Sequence, residues 1–532
     1  MKGLAAFIRP LRWKLLVSVL IGLVRIAASL GFVWICKHLV DIATGVVDAP
    51  FGPSVAIMAG IMVLQLLSNV SSSYWEGYLT VTAKNSERFR HFAYILHSRW
   101  QGRESFHSGD IINRIEGDVD IVVNLVCERI PEVAITLCQL VAASIFLITL
   151  APNLAWLLIL LMTVAVIGSR LFFRKMRRLT TAIRAREGQI QGYMQENIAN
   201  RVVVMTLIGT EKVMTRLGWM QRDVRDNTVI RLNYGAIGRS FMTLGFLAGY
   251  AAAFLYGVFG IRDKSITYGT MTAFLQLVGQ VQRPIADVAR HIPAFIHSLT
   301  SIERLMDLEE MPEEQHGRPM LLPGAPQVTF SHVDYTYPGG LHPVLKDFSY
   351  TFEGGKMTVI EGETGAGKST LIRLAMALME PSAGEITIDG VKASADTRAN
   401  FMYVPQGNSL MSGTIRDNLL LAREDATDEE LRHVLEIAAA DFVFQLPEGL
   451  DTPCSEKGGG LSEGQAQRIA IARGLLRSGG ILILDEATSA VDPETERRIL
   501  EGLEREMHGH KTIIFISHRE SVARITDNIL SM

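Results

Sequence analysis

Cysteine is nearly missing from this chain: four occur in 532 residues, Cys36, Cys127, Cys138 and Cys454, with no CxxC pair and no histidine at ligand spacing. That excludes a disulfide framework and a thiolate metal site, and it leaves four reduced thiols. Excess charge is missing too. With 52 basic against 55 acidic residues the net charge is −3, so electrostatics makes no case for a nucleic-acid partner. A cleavable leader is the third absence. Lys2, Arg9, Arg12 and Lys14 precede an apolar run from Leu15 to about Leu39. The run is too long for a signal peptide and no small-residue cleavage site closes it, so a retained first membrane helix is expected.

What is present is apolar sequence, unevenly placed. Mean hydropathy is +0.21 with 48% hydrophobic residues, and the long apolar runs all lie before about residue 300. A length of 532 residues points to more than one domain. A crossing helix needs about 20 mostly apolar residues. Six such runs occur, near 15–39, 54–79, 131–150, 154–173, 241–261 and 268–289. Arg25 interrupts the first, and Gln276, Gln280 and Arg283 the last. Only Ala151, Pro152 and Asn153 separate the third from the fourth, which predicts a tight hairpin. Long stretches rich in Arg, Glu and Gln join the second run to the third and the fourth to the fifth. They read as helices continuing beyond the bilayer. Basic residues cluster at the N-terminus and in Arg174-Lys175-Met176-Arg177-Arg178, whereas Val40 to Pro53 has none. By the positive-inside rule both termini are cytoplasmic.

Near Leu305 the character changes. The segment from Asp307 to Pro326 is rich in Glu, Pro and Gly and reads as a linker; beyond it strand-like and helical runs alternate. The strongest motif is Gly362-Glu363-Thr364-Gly365-Ala366-Gly367-Lys368-Ser369-Thr370, between an apolar strand from Met357 to Ile360 and a helical run from Leu371. This is the context a phosphate-binding loop requires: glycines let backbone N–H groups curl around phosphate oxygens at a helix N-terminus. Lys368 is expected to reach the β- and γ-phosphates of ATP, and Ser369 to ligate Mg²⁺. Downstream, Ile481-Leu482-Ile483-Leu484-Asp485-Glu486 is a buried-type strand ending in two acids. Asp485 would hold Mg²⁺ through water, and Glu486 would polarise the attacking water.

Leu461-Ser462-Glu463-Gly464-Gln465 resembles the signature sequence of the ATP-binding cassette family. Other family elements follow in order. Gln406, in Tyr403-Val404-Pro405-Gln406, resembles the Q-loop glutamine that touches Mg²⁺ and the membrane domain. Ser489-Ala490-Val491-Asp492 resembles the D-loop, and His518, after Ile516-Ser517, the switch histidine. Tyr337 resembles the aromatic that stacks on adenine, with Tyr335 as its competitor. In the membrane half, Phe106 to Asp118 and Gln195 to Met205 resemble the intracellular loops of the exporter-type (type IV) branch. Coupling helices are implied near 107–117 and 193–205. Two departures stand out. Thr452-Pro453-Cys454-Ser455-Glu456 replaces the usual run with two glutamates, only Glu456 matching. The chain also stops at Met532, before the family's last hairpin and helix.

The expected architecture is multidomain: an all-α six-helix transmembrane domain over 1–306, a linker over 307–326, and an α/β P-loop ATP-binding cassette over 327–532. The resemblance implies an ATPase-driven half-transporter working as a dimer with a second half-transporter in the lipid bilayer. Ser462, Gly464 and Gln465 of one copy would complete the ATP site of the other. A homodimer is favoured over a heterodimer, because Glu486 is present. Export of an unidentified amphipathic molecule (lipid, drug, peptide or siderophore) is favoured over import and over a non-pumping regulatory role. The absence of a transit-type presequence favours a bacterial inner membrane, and that of an N-terminal peptidase domain argues against processing of a double-glycine leader peptide.

Overall fold

The computed structural model describes residues 2–99, 108–314, 317–340, 342–363, 365–455 and 459–532. The contacts divide the chain into two compact units, one of Met1–Ala93 with Gly109–Glu310, the other of Tyr94–Ser108 with Met311–Met532.

The first unit is built from six long helices: α1 (Arg12–Ala43), α2 (Phe51–His97), α3 (Asp110–Leu150), α4 (Pro152–Ala199), α5 (Thr210–Arg262) and α6 (Tyr268–Glu309). A 47-residue helix such as α2 is about 70 Å long at 1.5 Å per residue, more than twice the hydrocarbon thickness. The polar stretches read from the sequence are therefore extensions of the spans. Ala151 breaks the helix between α3 and α4 (φ −156°, ψ 87°), and Pro152 starts α4 where its missing N–H costs nothing. A short separate helix, Arg201–Thr206, follows α4 after Asn200 and overlaps the end of the second stretch read as a coupling element, 193–205. In the first such stretch, Phe106 and His107 lie outside the described residues.

Among the described residues, five helices are long and apolar enough to cross a membrane: those within Gly3–Ala43, Phe51–His97, Asp110–Leu150, Pro152–Ser169 and Thr210–Arg262. The sixth expected span, 268–289, is helical within α6 but falls short of them in hydropathy. The reason is its place in the bundle. Ala273, Phe274, Leu277, Val278 and Val281 are buried with Val33, Leu147, Leu154 and Ala253 from neighbouring helices. A helix surrounded by protein tolerates Gln276, Gln280 and Gln282 where a lipid-facing helix would not. Helix α5 approaches its neighbours along a stripe of small residues, Gly245, Gly249, Ala253 and Gly257, at a spacing of four. A Cβ on Gly249 would collide with the Gln282 amide, so the close approach depends on the missing side chain.

In the second unit, the helix end reached at His97 is tied to the chain after α6. Glu314 N–H donates to His97 O, Arg99 N–H to Pro312 O, and the Tyr94 hydroxyl to Met311 O. Helix α6 itself runs to Glu309, into the segment expected as linker.

The strands of this unit are β1 (Val328–Tyr335), β2 (Leu345–Phe352), β3 (Met357–Glu361), β4 (Ala383–Ile388), β5 (Val391–Lys392), β6 (Phe401–Val404), β7 (Gly413–Thr414), β8 (Pro453–Cys454), β9 (Ile481–Asp485), β10 (Thr512–Ile516) and β11 (Asn528–Ser531). Those between β1 and β5, without β3, form an antiparallel sheet in the order β2-β1-β4-β5. A parallel sheet runs β11-β3-β10-β9-β6, and β7 pairs with β8. Every residue of β9 and β10 is buried, which is why both strands read as unbroken apolar runs. Helices α7 (Lys368–Ala375), α8 (Ile415–Leu420), α9 (Asp428–Ile437), α10 (Glu463–Leu476), α11 (Pro493–Met507) and α12 (Glu520–Ala523) are the α-helices described in this unit. All four cysteines are free; Cys127 and Cys454 are buried and Cys138 is exposed.

Candidate functional site

In the parallel sheet, Ile516 of β10 lies opposite Ile360 of β3 on one side and Asp485 of β9 on the other, while Leu484 faces Val404 of β6. Four strands therefore end in step. The loops that leave those ends carry Gly362 to Gly367, His518, Glu486 and Gln406. Ligands of open α/β sheets bind at this carboxyl edge.

The loop after β3 turns into α7 through Gly367, whose φ of +100° is open to glycine and strained for other residues. Glu363 and Gly365 are exposed on the same loop, Ala366 is half-buried, and Thr364 lies outside the described residues. Lys368, buried at the first turn of α7, folds its ammonium group back onto the loop. Nζ donates to Gly362 O at 2.5 Å and Glu363 O at 3.1 Å, and lies 3.3 Å from His518 Nε2. His518 Nε2 in turn is 3.9 Å from Glu486 Oε1, and Gln406 Nε2 donates to Glu486 Oε2 at 2.5 Å. Lys368, His518, Glu486 and Gln406 thus form one chain of polar contacts drawn from four loops.

Glu486 adopts φ +49°, with its N–H donating to Ile516 O. A non-glycine residue in this region stores of order 1–3 kcal/mol, and such strain is found where geometry serves function. Asp485 is only 4% exposed. Burial, and then the adjacent Glu486 charge, push its pKa above the ordinary carboxylate value; Tyr403, Arg373 and Lys368 act in the opposite sense. The Tyr403 hydroxyl donates to Asp485 Oδ2 at 3.3 Å, and burial raises the pKa of that hydroxyl. In the sequence Tyr403 stands out only as a neighbour of Gln406. Its signal was available: a tyrosine on the strand that pairs with the acid-bearing one.

The two tyrosines separate cleanly. Tyr335 is 5% exposed and its hydroxyl points at Met379 Sδ, so it belongs to the core. Tyr337 is half-buried, packs edge-on against Tyr335, and shares a 2.9 Å hydrogen bond with Thr370 beside the phosphate loop. Tyr337→Ala is expected to raise the KM for nucleotide about tenfold with little change in kcat, since base–aromatic stacking is worth about 1–3 kcal/mol. Tyr335→Ala should instead lower thermal stability, by about 3–5 kcal/mol as for other buried aromatics, and leave KM unchanged. Nucleotide titration and thermal unfolding distinguish the two.

Among the described residues, Ser462, Gly464 and Gln465 make no hydrogen bond or ion pair with the Lys368 cluster; they start α10. Ser462 Oγ accepts from Gln465 N–H while Gln465 Oε1 accepts from Ser462 N–H, a reciprocal cap that leaves Ser462 exposed. Gly464 lies against the loop after β9: a Cβ there would sit 2.7 Å from Ala490 O. Gln467 fastens the same loop, bonding Ser489 Oγ and Ala490 N. Arg519 holds it from the other side through Ser489 O and Val491 O. Neither Gln467 nor Arg519 was singled out from sequence. Glu456 lies outside the described residues. No group of three or more His, Cys, Asp or Glu side chains able to hold a metal occurs among the described residues.

Comparison with known proteins adds to this geometry. The family model described as "ABC transporter" matches residues 345–489, and "ABC transporter transmembrane region" matches 15–285. A fatty acid ABC transporter ATP-binding/permease protein of Mycobacterium tuberculosis is 31% identical over 79% of this chain and 68% of its own length. An ATP-dependent lipid A-core flippase of Vibrio cholerae is 28% identical over 99% of this chain and 92% of its own. Among solved structures, a bacterial Atm1-family ABC exporter with ATP bound superposes with a TM-score of 0.82 at 25% identity, covering 98% of this chain and 94% of that one.

Proposed function

The chain belongs to the ABC transporter family and is an ATP-hydrolysing exporter-type half-transporter; from that premise we propose that it acts as a homodimer exporting an amphipathic molecule across a bacterial inner membrane. The observation that carries this reading is the contact chain from Lys368 through His518 to Glu486 and Gln406 within one polypeptide. A copy that holds every group needed for turnover requires no different partner to supply one. The relatives handle fatty acids and lipid A-core, by their names, which supports an amphipathic cargo.

In this reading the γ-phosphate of ATP enters between Lys368 and the loop amides, and the ammonium group exchanges its carbonyl partners for phosphate oxygens. Glu486, oriented by Gln406 through one carboxylate oxygen, accepts the proton of water as its oxygen attacks the γ-phosphorus. ADP leaves with the electron pair of the broken P–O bond. Lys368 and His518 offset the charge on the transferring group, which is most of what phosphoryl transfer asks of a protein. Mg²⁺ fits the site chemically, because the buried Asp485 carboxylate lacks a cation within ion-pair distance among the described residues. Ser369, Gln406 and Asp485 would hold the ion, which supplies positive charge at the phosphates.

The test is flux. Purified protein in proteoliposomes with cassettes facing outward should accumulate a fluorescent amphiphile inside the vesicle on addition of ATP and Mg²⁺. ATP-driven depletion of the lumen would mean import. Flux without ATP would mean a channel.

A further inference from the structure

A cavity of about 240 Å³ opens between α1, α2 and α3, and five charged side chains line it: Arg25, Glu76, Glu128, Arg129 and Glu132. Trp75 forms part of the wall. Three carboxylates against two guanidinium groups give the lining a net charge of −1. Arg129 and Glu132 satisfy each other at 3.0 Å. Arg25, Glu76 and Glu128 make no ion pair within 4 Å among the described residues.

These groups sit in or at the mouth of membrane spans, where an unpaired charge costs roughly 2.5–3.5 kcal/mol on insertion scales. A chain tolerates such groups together when they face a wet cavity or a ligand of complementary charge. Packing fixes the floor of the cavity. Ile135 reaches α1 at Gly22, where a Cβ would collide with it. The wall carries a further irregularity: Leu125–Arg129 is a π-helical turn, which presents Glu128 and Arg129, and such turns concentrate at functional sites. The Trp75 ring is held in place by its N–H, which donates to Lys14 O at 3.2 Å, and by the tilted Tyr78 ring 6.0 Å away. An indole face beside carboxylates is a surface that organic cations favour.

We propose that this cavity recognises the positively charged group of the exported molecule, so that the substrate class is an amphiphile bearing an organic ammonium or comparable lipophilic cation. The inference rests on the exporter reading above and narrows its cargo.

Two ions of matched size and apolar surface test it: tetraphenylphosphonium and tetraphenylborate. Binding of each to the full chain in nanodiscs is measured by titration, with protein-free nanodiscs as the baseline. The cation is expected to bind at least about tenfold more tightly than the anion, and Glu76→Gln and Glu128→Gln should each weaken it about tenfold. Arg25→Gln should leave cation binding intact or tighten it. Glu128→Lys should reverse the preference, a change that misfolding does not produce. Equal or stronger binding of the anion overturns the proposal, as does cation binding indifferent to Glu76→Gln and Glu128→Gln. Wild-type protein that hydrolyses no ATP in the same nanodiscs defeats the exporter reading itself. Turnover without charge discrimination defeats only this inference.

Discussion

Glu486→Gln is expected to lower steady-state ATP turnover by about 10²–10⁴-fold, the range for loss of a positioned general base. Nucleotide affinity should stay close to wild type. The substitution keeps the side chain's length and an oxygen for the Gln406 amide, so the local geometry survives. What it removes is the site that accepts the proton from water. It also removes the negative charge next to Asp485, one of the causes that raise that carboxyl's pKa. Asp485 should therefore stay ionised to lower pH in the variant, and any Mg²⁺-dependent nucleotide binding should extend further into acid. The checks are phosphate release and equilibrium binding of a fluorescent nucleotide across pH. Equal turnover in variant and wild type would remove the mechanism. Glu486→Gly is an informative companion. It relieves the positive φ, so activity should vanish without loss of thermal stability.

The second large effect concerns the division of labour between copies. Lys368→Ala deletes the ammonium group at the phosphate loop. Gly464→Val forces a branched side chain into the carbonyl of Ala490, a backbone atom that has little room to move. Each variant alone is expected to lose at least about 10²-fold in turnover, comparable to deleting one preorganised charge-stabilising group. Mixed dimers, purified through two different tags, should regain turnover. In them the intact loop of the Gly464→Val copy meets the intact signature of the Lys368→Ala copy, giving one sound site of two. Mixed dimers as inactive as either parent would mean that Ser462 and Gly464 do not serve a nucleotide held by the other copy. The exposure of Ser462 and its distance from the Lys368 contact chain are what make this outcome worth measuring.

Much of this site was legible in the sequence because its parts are local. A phosphate loop is a short glycine-rich run between a strand and a helix, and an acidic pair at the end of an apolar strand is visible as such. Tyr403 was not legible as a partner of Asp485, because 82 residues separate them and only the pairing of β6 with β9 brings them together. Nor was the backbone of Glu486, since nothing about glutamate favours a positive φ; the N–H···O bond to Ile516 on the neighbouring strand fixes it. In the membrane half, hydropathy found the lipid-facing helices readily. The stretch 268–289 is helical but less apolar than the other spans, because a helix packed among others is selected for fit with them rather than with lipid.

The amino-acid order alone determined that apolar helices precede a P-loop domain, which strand carries the acids, and which lysine opens the helix after the glycine-rich loop. These are periodicities and short motifs, and their physics acts within a few residues of the chain. Tertiary structure decided what lies beside what: strand ends brought into step so that four loops meet, Tyr337 left beside the phosphate loop while Tyr335 is buried, and Arg25 set among Glu76, Glu128 and Glu132. Those outcomes depend on sheet order and helix packing between segments up to more than a hundred residues apart. Burial and register over such separations are properties of the folded whole.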